Sequence, residues 1–579
     1  RTLNSTRGNI YDRNGNLLAY NELAYSITIE DNGTYSSTKA KNAAINAEIA
    51  QVVTALEENG DSIVNDFKIL LDDNGNYSYN IEESGATWKR FLADVFGEAS
   101  FESMQEDESD IISRNKLDFK PTEATAAQVM QYLAGSNRYA IGTEYDDAMA
   151  YKITVVRFSM AQNAYQKYIA TTIATNVSEE SVAYISEHAA ELQGVEVLED
   201  TIRKYNDSEY FSSIIGYTGK ISTDEYNKLS ETDDSYTLND VVGKLGIEQY
   251  MDSDLKGEKG HEKLYVDYLG KAVKVIEHEE PQAGNDVYLS IDKDLQIAVY
   301  KLLEQEIAGI VYSNIDNPGS DINIPITDVY FALINNNVID FSHFSEENAS
   351  PTEREVQQIF ASRQNAVIEQ IRTELTGSAP TPFASMTEEY QDYFTYIIKN
   401  MLHDNNILLK KNIDTSDEVY LQWQNGAIGP QEYLNHAIAK GWIDITKFSV
   451  SEKYSDSTEI YDALCDYILN DISTDSDFTK IIYEYLIQTD AITGRQLCLI
   501  LFDQNILAFD EDDIAGLSGG TIAPASFIKE KIQNLEITPA QLALDPCAGS
   551  CVITDTKTGE VLALVSYPGY DGNRLANTV

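Results

Sequence analysis

At 579 residues the chain is too long for one ordinary core, and its length predicts roughly three or four domains. With 94 acidic against 42 basic residues, net -52, it lacks the clustered Lys and Arg that displace counterions from phosphates, so a nucleic-acid partner is excluded. The carboxylates read as a solvated surface that keeps the protein soluble.

The first legible stretch runs from Arg7 to Ala19. Ile10-Tyr11 and Leu17-Leu18-Ala19 flank an Asn14-Gly15 pair of the kind that closes a tight β-hairpin, because both turn residues tolerate positive φ. Tyr25 to Ile29 alternates as a strand does, with Asn32-Gly33 as its turn. A helix is expected over Lys39 to Glu58, since Ile45, Ile49, Val52, Val53 and Leu56 recur at helical spacing. Asp72-Asp73-Asn74-Gly75 suggests a calcium loop, but with Gly75 sixth the first ligand would be Leu70, so a plain hairpin turn is expected. Ile169 to Ala174 reads as a strand, and Ser178 caps a helix with Glu179 and Glu180 in its first turn. His188 has no second histidine at helical spacing and no cysteine near, which argues against a metal.

Closely spaced glycines follow, among them Gly216, Gly219, Gly243, Gly246, Gly257 and Gly260. They match neither phosphate-loop pattern, so tight turns and close backbone approach in a β-rich module are expected. From Gly284 the sequence reads as a turn, a strand and then a helix capped by Asp292, with Leu295, Val299, Leu302, Leu303, Ile307 and Ile310 inward. Between Val311 and Asp545 the period is mostly helical, with candidates at Glu353 to Leu375, Glu388 to Leu402, Thr458 to Leu469 and Phe478 to Ile487. The last stretch, Ser550 to Asn573, reads as a β-hairpin with Lys557-Thr558-Gly559 in its turn.

Several of these stretches resemble class B penicillin-binding proteins, a family that builds peptidoglycan cross-links. R-G-x-I-Y-D-R-N-G-x-x-L-A, carried by Arg7, Gly8, Tyr11, Asp12, Arg13 and Gly15, is similar to the family's first motif. The helix after Ser178, the strand from Gly194 and the pair Arg203 and Tyr205 resemble the next, and Gly216, Gly243, Gly246, Glu248 and Gly257 the one after. In that resemblance Glu248 is structural. Asp286, Asp292 and Gln296 match G-x-D-V-x-L-T-I-D-x-x-L-Q, the entry into the transpeptidase domain, with Ser290 for threonine. Asp555, Gly559, Pro568, Tyr570, Asp571 and Asn573 resemble that domain's opening strands and its P-x-Y-D-x-N signature, with Gly572 where proline is frequent.

The resemblance implies an α+β, multidomain chain: a β-rich pedestal at 1–38 and 201–284, an inserted head at 39–200 and the start of a transpeptidase fold at 285–310. A mainly α-helical insertion at 311–545 and the first transpeptidase strands at 546–579 complete it. It implies an elongation-type, penicillin-binding protein 2-like D,D-transpeptidase and β-lactam target with a dimerisation domain, whose serine is acylated by a D-Ala-D-Ala stem peptide.

The nucleophile normally follows P-x-Y-D-x-N by several tens of residues, so this chain is expected to be the non-catalytic N-terminal portion. Ser36 to Lys39, Ser113 to Lys116 and Ser526 to Lys529 match S-x-x-K by chance, and Lys557-Thr558-Gly559 precedes where K-T-G belongs. No catalytic, cofactor or metal residue is assigned, and no cofactor is implied. Expected partners are stem peptides through the missing catalytic domain, a membrane-embedded glycosyltransferase and cell-shape proteins.

No run in the chain approaches the roughly 18 apolar residues that span a bilayer. The expected location is the extracytoplasmic face of the bacterial membrane, with one anchor helix upstream of Arg1, a setting that the four cysteines, none before Cys465, fit. A non-catalytic surface scaffold using the acidic helical insertion is the alternative.

Overall fold

The computed structural model describes residues 2–31, 33–72, 75–81, 83, 85–162, 170–266, 272–445 and 457–576. The expectations at Asn32, Asp73, Asn74 and Ile169 lie outside the described residues. The chain is α+β and divides into two compact units, one of Arg1–Ala298, Cys551–Val565 and Gly569–Val579, the other of Val299–Ser550 with Ser566–Pro568.

The first unit is built on one long strand, Leu17–Ile29. The sequence suggests two short strands here, but Tyr20 to Ala24 continues the ladder because Val195–Tyr205 pairs with it along its whole length, from Ala19↔Tyr205 to Ile29↔Val195. Thr171–Ala174 and Ile10–Tyr11 complete its neighbours, and Val287–Tyr288 joins Ile10–Tyr11 in parallel. Ile27 and Ile29 pack with Ile45, Ile49 and Val53 of the helix Thr38–Glu58 and with Ile153 and Val156 of the helix Asp147–Gln162. A second core gathers Phe67, Phe91, Phe96, Tyr132 and Phe158. A three-stranded sheet joins Thr2–Leu3, Gly260–Val266 and Ala272–Glu279.

Two local readings need correction. The Asn14-Gly15 turn is not a two-residue turn, since Gly15 alone has positive φ, +82°. Instead Asp12 N–H donates to Asn16 O at 2.9 Å, and the Asp12 carboxylate accepts from the Asn14 and Asn16 amides at 2.8 and 2.7 Å, closing the loop by side chain. Asp72 closes the second Asp-x-Asn-Gly-Asn loop in the same way, accepting from Asn76 N–H at 2.7 Å. On the helix Lys293–Asn314 the inward face is also different: Leu302 and Ile310 are exposed, while Gln296, Tyr300, Ile307, Ala308 and Val311 are buried. Gln296 turns inward because its amide finds partners there, and Tyr300 because its ring packs on Tyr567 with ring centres 5.2 Å apart, which a purely aliphatic count does not foresee.

The second unit is helical. Four expected helices are present as Pro351–Thr376, Glu388–Tyr396, Ser457–Asp471 and Ser476–Gln488, the second of them widening into a π-helix over Ile397–His403.

A period emerges that residue types conceal. Asp490, Asn505, Gly520 and Leu535 each sit in left-handed backbone, fifteen residues apart, and Gly426 and Gly441 repeat the interval. At each of the four the next two amides return to one helix carbonyl: Ala491 and Ile492 to Leu486, Ile506 and Leu507 to Leu501, Thr521 and Ile522 to Gly516, Glu536 and Ile537 to Lys531. This closes the helix by a Schellman-type cap and sends the next apolar residue inward, with Ile492, Leu507 and Ile537 buried. Asp, Asn, Gly and Leu at one structural position hide the repeat from a scan for identity.

Because the left-handed cap penalises Cβ branching, Asn505→Val is expected to cost about 1–2 kcal/mol while Asn505→Gly is neutral or stabilising. Chemical denaturation of the intact chain checks this, read by the helical signal.

Candidate functional site

The motif residues converge in the first unit. At their centre lies a buried ionic cluster. Glu248 is fully buried, and its carboxylate accepts from Arg7 Nε at 2.6 Å and from Arg203 Nε at 2.7 Å. Arg7 Nη2 reaches Glu248 O at 2.7 Å, and its Nη1 reaches Asp252 Oδ1 at 2.8 Å. Asp252 also accepts from Gly243 N–H at 2.9 Å and from the Tyr236 hydroxyl at 2.6 Å. Asn21 accepts from Arg203 Nη1 at 3.3 Å and donates to Arg7 O.

Two guanidinium and two carboxylate charges therefore cancel. Burial alone would lower the Arg7 pKa, but Glu248 and Asp252 outweigh it and raise it; burial and the Asp252 bond push the Tyr236 hydroxyl up. Arg203 Nη2 is buried with no partner among the described residues, the one loose end of the cluster. Asp252, Asn21 and Tyr236 escaped the sequence reading. The signal for Asp252 was its place one helical turn after Glu248.

The glycines let backbones meet around this cluster. A Cβ on Gly243 would stand 2.0 Å from Glu248 O, and one on Gly8 2.0 Å from Asn285 O. Gly216 and Gly246, both at positive φ, lie against each other's chain segments, and Gly257 lies against Gln282 to Gly284. The module is less β-rich than its glycines suggest, because the short helices Ser208–Ile215, Gly246–Tyr250 and Asp252–Leu255 share it with strands Thr218–Lys220 and Val241–Gly243.

A second set of contacts carries the N-terminal loop to the start of the helix Lys293–Asn314. Asp12, fully buried, accepts from Lys293 N–H at 3.1 Å as well as from its own loop. Burial tends to raise its pKa, but the Asn16 side chain and the amides of Asn16, Lys293 and Asn14 hold it below the usual carboxylate range. Arg13 N–H donates to Ile291 O at 3.0 Å, and its guanidinium lies 3.6 Å from Glu560. Asp286 accepts from Asn9 N–H at 2.8 Å, and Tyr11 stacks on Tyr288 with ring centres 4.9 Å apart. Asp292 caps Leu295 N–H at 3.1 Å and donates its own amide to Leu562 O at 2.8 Å.

The hairpin is gripped from the same helix. The Gln296 amide donates to Leu564 O and Tyr210 O at 3.0 and 2.9 Å and accepts from Leu564 N–H at 2.8 Å. Asp555 accepts from the Lys557 and Thr558 amides, and Gly559, at φ +79°, closes that turn, so Lys557-Thr558-Gly559 is a loop rather than a strand.

Beyond Pro568, which follows a cis bond, the Tyr570 hydroxyl donates to Ser212 O at 2.9 Å. Asp571 accepts from Asn573 N–H at 2.9 Å. The Asn573 amide accepts from Tyr205 N–H at 2.8 Å and donates to Tyr205 O at 2.9 Å, so it mimics a paired strand residue. Gly572 N–H donates to Ser208 Oγ at 2.7 Å, a bond that proline at this position would forfeit.

None of this is a nucleophile–base arrangement. No hydrogen bond joins serine and lysine in Ser36/Lys39, Ser113/Lys116 or Ser526/Lys529, and Lys529 instead donates to Ile315 O at 3.0 Å. Among the described residues no group of His, Cys, Asp and Glu is placed to hold a metal, and His188 Nδ1 lies 2.9 Å from Tyr184 O.

Arg7→Ala leaves Glu248 short of one buried countercharge and is expected to cost about 3–5 kcal/mol, measured by denaturation of the first unit's β signal. Asp12→Ala is expected to cost about 2 kcal/mol, against about 1 kcal/mol or less for the exposed Asp72→Ala in the sister loop. Because the Asp12 pKa is depressed in the fold, its stabilisation is complete above the ordinary carboxylate pKa and is lost as pH falls through the folded value. Asp12→Asn should therefore lose less stability than the parent between neutral pH and pH about 3.

The family whose sequence model matches residues 2–289 is described as the penicillin-binding protein dimerisation domain. The peptidoglycan D,D-transpeptidase MrdA of Escherichia coli (strain K12) is 27% identical over 196 residues, covering 31% of this chain and 31% of that protein. Penicillin-binding protein 2A of Bacillus subtilis (strain 168) is 32% identical over 139 residues, covering 23% and 19%. Among solved structures, penicillin-binding protein 2B from Streptococcus pneumoniae aligns with 55% of this chain and 44% of its own at 19% identity and a TM-score of 0.34, too loose to argue from. The match thus spans about a third or less of the curated relatives' length. With its motifs in order, the chain thus carries over residues 2–289 the dimerisation domain of the penicillin-binding proteins, and in that part it is similar to penicillin-binding protein 2-like peptidoglycan transpeptidases.

Proposed function

We propose that this chain is the positioning portion of a membrane-anchored peptidoglycan D,D-transpeptidase, and that it does no covalent chemistry itself. The observation that carries this reading is the direction of the contacts. Residues near Arg7, Arg203 and Glu248 are locked to one another, and from that lock Asp12, Asp292 and Gln296 hold one helix start and one hairpin. A rigid base that fixes the first helix and strands of a catalytic fold serves a reaction whose serine must sit in an exact geometry.

The reaction would be acylation of a serine by a D-Ala-D-Ala stem peptide, with loss of the terminal D-alanine, then transfer of the acyl group to an amine on a neighbouring strand. Stem peptides are the substrates in this reading, and a membrane-embedded glycosyltransferase and cell-shape proteins are the partners. The location is the extracytoplasmic membrane face. No described helix is long and apolar enough to cross a membrane, so the anchor would come from outside the described residues.

Fluorescent penicillin tests the proposal. In the source cell, a protein containing this sequence is expected to be labelled on a serine outside it, while the purified 579-residue chain stays unlabelled. Labelling of the isolated chain, or a cellular product that contains this sequence and takes no label, overturns it.

A further inference from the structure

The strands Gly260–Val266 and Ala272–Glu279 pair into a ribbon that none of the contacts above uses. Thr2–Leu3 pairs only with Gly260 and His261, at one end, and Ala272–Glu279 is an edge strand of its sheet. From Lys274 to Glu279 every residue is exposed, without the alternation that a strand shows when one face meets a core. Yet Tyr265, Val275 and Ile276 are among the bare residues, at 61, 45 and 57% exposure. Tyr265 stands opposite Lys274 and Leu264 opposite Val275, so Tyr265 and Val275 occupy different faces of the ribbon. Apolar surface on both faces calls for something that covers both.

Charge divides along the ribbon. From Lys263 to Ile276 the sequence holds three lysines and one acidic residue, in a chain with 94 acidic and 42 basic residues. Toward the other end Glu277, Glu279 and Glu280 gather, with His278 lying 3.1 Å from Glu262 and 2.9 Å from Glu280. Lys263 spends its charge on Glu277 at 3.6 Å, whereas Lys274 has no carboxylate within ion-pair distance among the described residues. From Glu279 to Lys274 an extended strand rises about 16 Å, twice the Debye length of about 8 Å at physiological salt, so the acidic end is screened from whatever the lysine end meets.

A protein docked on one face would leave the other face bare. A second edge strand is opposed by Lys274 and by the register shifts at Lys263/Leu264 and Tyr265/Val266, devices that blunt strand pairing. A fluid surface that closes around the ribbon meets neither obstacle. We propose that this ribbon lies in the headgroup layer of an anionic phospholipid bilayer. Lys274 meets lipid phosphate, Tyr265 takes the interfacial depth that tyrosine favours, and Val275 and Ile276 reach the acyl boundary. The edge strand's outward amides bond to water and phosphate at that depth, whereas the hydrocarbon core would leave them unsatisfied. The inference rests on the ribbon alone and holds whether or not the chain serves peptide cross-linking.

The test sediments the intact chain with vesicles of equimolar phosphatidylglycerol and phosphatidylcholine, and with phosphatidylcholine vesicles for comparison. Saturable binding to the anionic vesicles is expected, weaker on phosphatidylcholine and weaker at about 0.5 M salt than at about 0.1 M. Lys274→Glu is expected to weaken it about fivefold or more, and the pair Tyr265→Ser with Ile276→Ser about tenfold or more. Because all three side chains are exposed, the melting temperature stays unchanged, and Leu421→Ser, an exposed apolar loss in the helical unit, leaves binding as it was. Absence of binding up to about 5 mM lipid overturns the proposal, as does binding that the ribbon variants leave intact. A dimer of the chain in sedimentation equilibrium that the double variant dissociates also overturns it, by giving the ribbon to a second copy.

Discussion

Glu248 is the residue on which the first unit depends. A carboxylate with no exposure must be neutralised inside the fold, and here two guanidiniums share it, one from the seventh residue of the chain and one from a strand nearly two hundred residues later. Neither arginine can leave without stranding a buried charge, and the desolvation cost of that state exceeds what any single surface contact recovers. The cluster therefore acts less as a source of net stability than as a register pin. Leu17–Ile29 and Val195–Tyr205 must pair so that Asn21 and Arg203 face each other, and Gly8 must run beside Asn285 for Arg7 to arrive.

Around that pin, the motif residues work mostly through backbone. Asp12 caps a loop and a distant helix at once, Gln296 pairs with a strand edge as a peptide would, and Asn573 does the same to Tyr205. Side chains that imitate backbone have strict length requirements, since Asn and Gln differ by one methylene. The glycines have the complementary role, leaving room where two main chains come within contact distance.

The helical unit obeys a different logic. Its stabilising contacts recur locally, each module being a helix, a left-handed cap and an apolar residue turned inward, so neighbouring modules bury what one alone leaves exposed. Such an array folds from short-range contacts and tolerates change at its caps. The first unit is instead closed by pairings between residues more than two hundred positions apart, where a lost contact has no local substitute.

Sequence alone determined the local chemistry: the helix periods at Thr38–Glu58 and Pro351–Thr376, the caps at Ser178 and Asp292, the strand after Gly194, and a motif order resembling that of the penicillin-binding proteins. These are legible because they depend on neighbours within a turn or a strand. Tertiary structure alone decided that Asp252, Asn21 and Tyr236 join Glu248, that Leu302 and Ile310 face outward, and that Gly572 serves through its N–H. It also decided that the helical caps repeat every fifteen residues, because backbone conformation is shared there by Asp, Asn, Gly and Leu, which no letter-by-letter reading groups together. Burial and long-range partners are properties of the assembled chain, and a residue's type constrains them only once its neighbours in space are known.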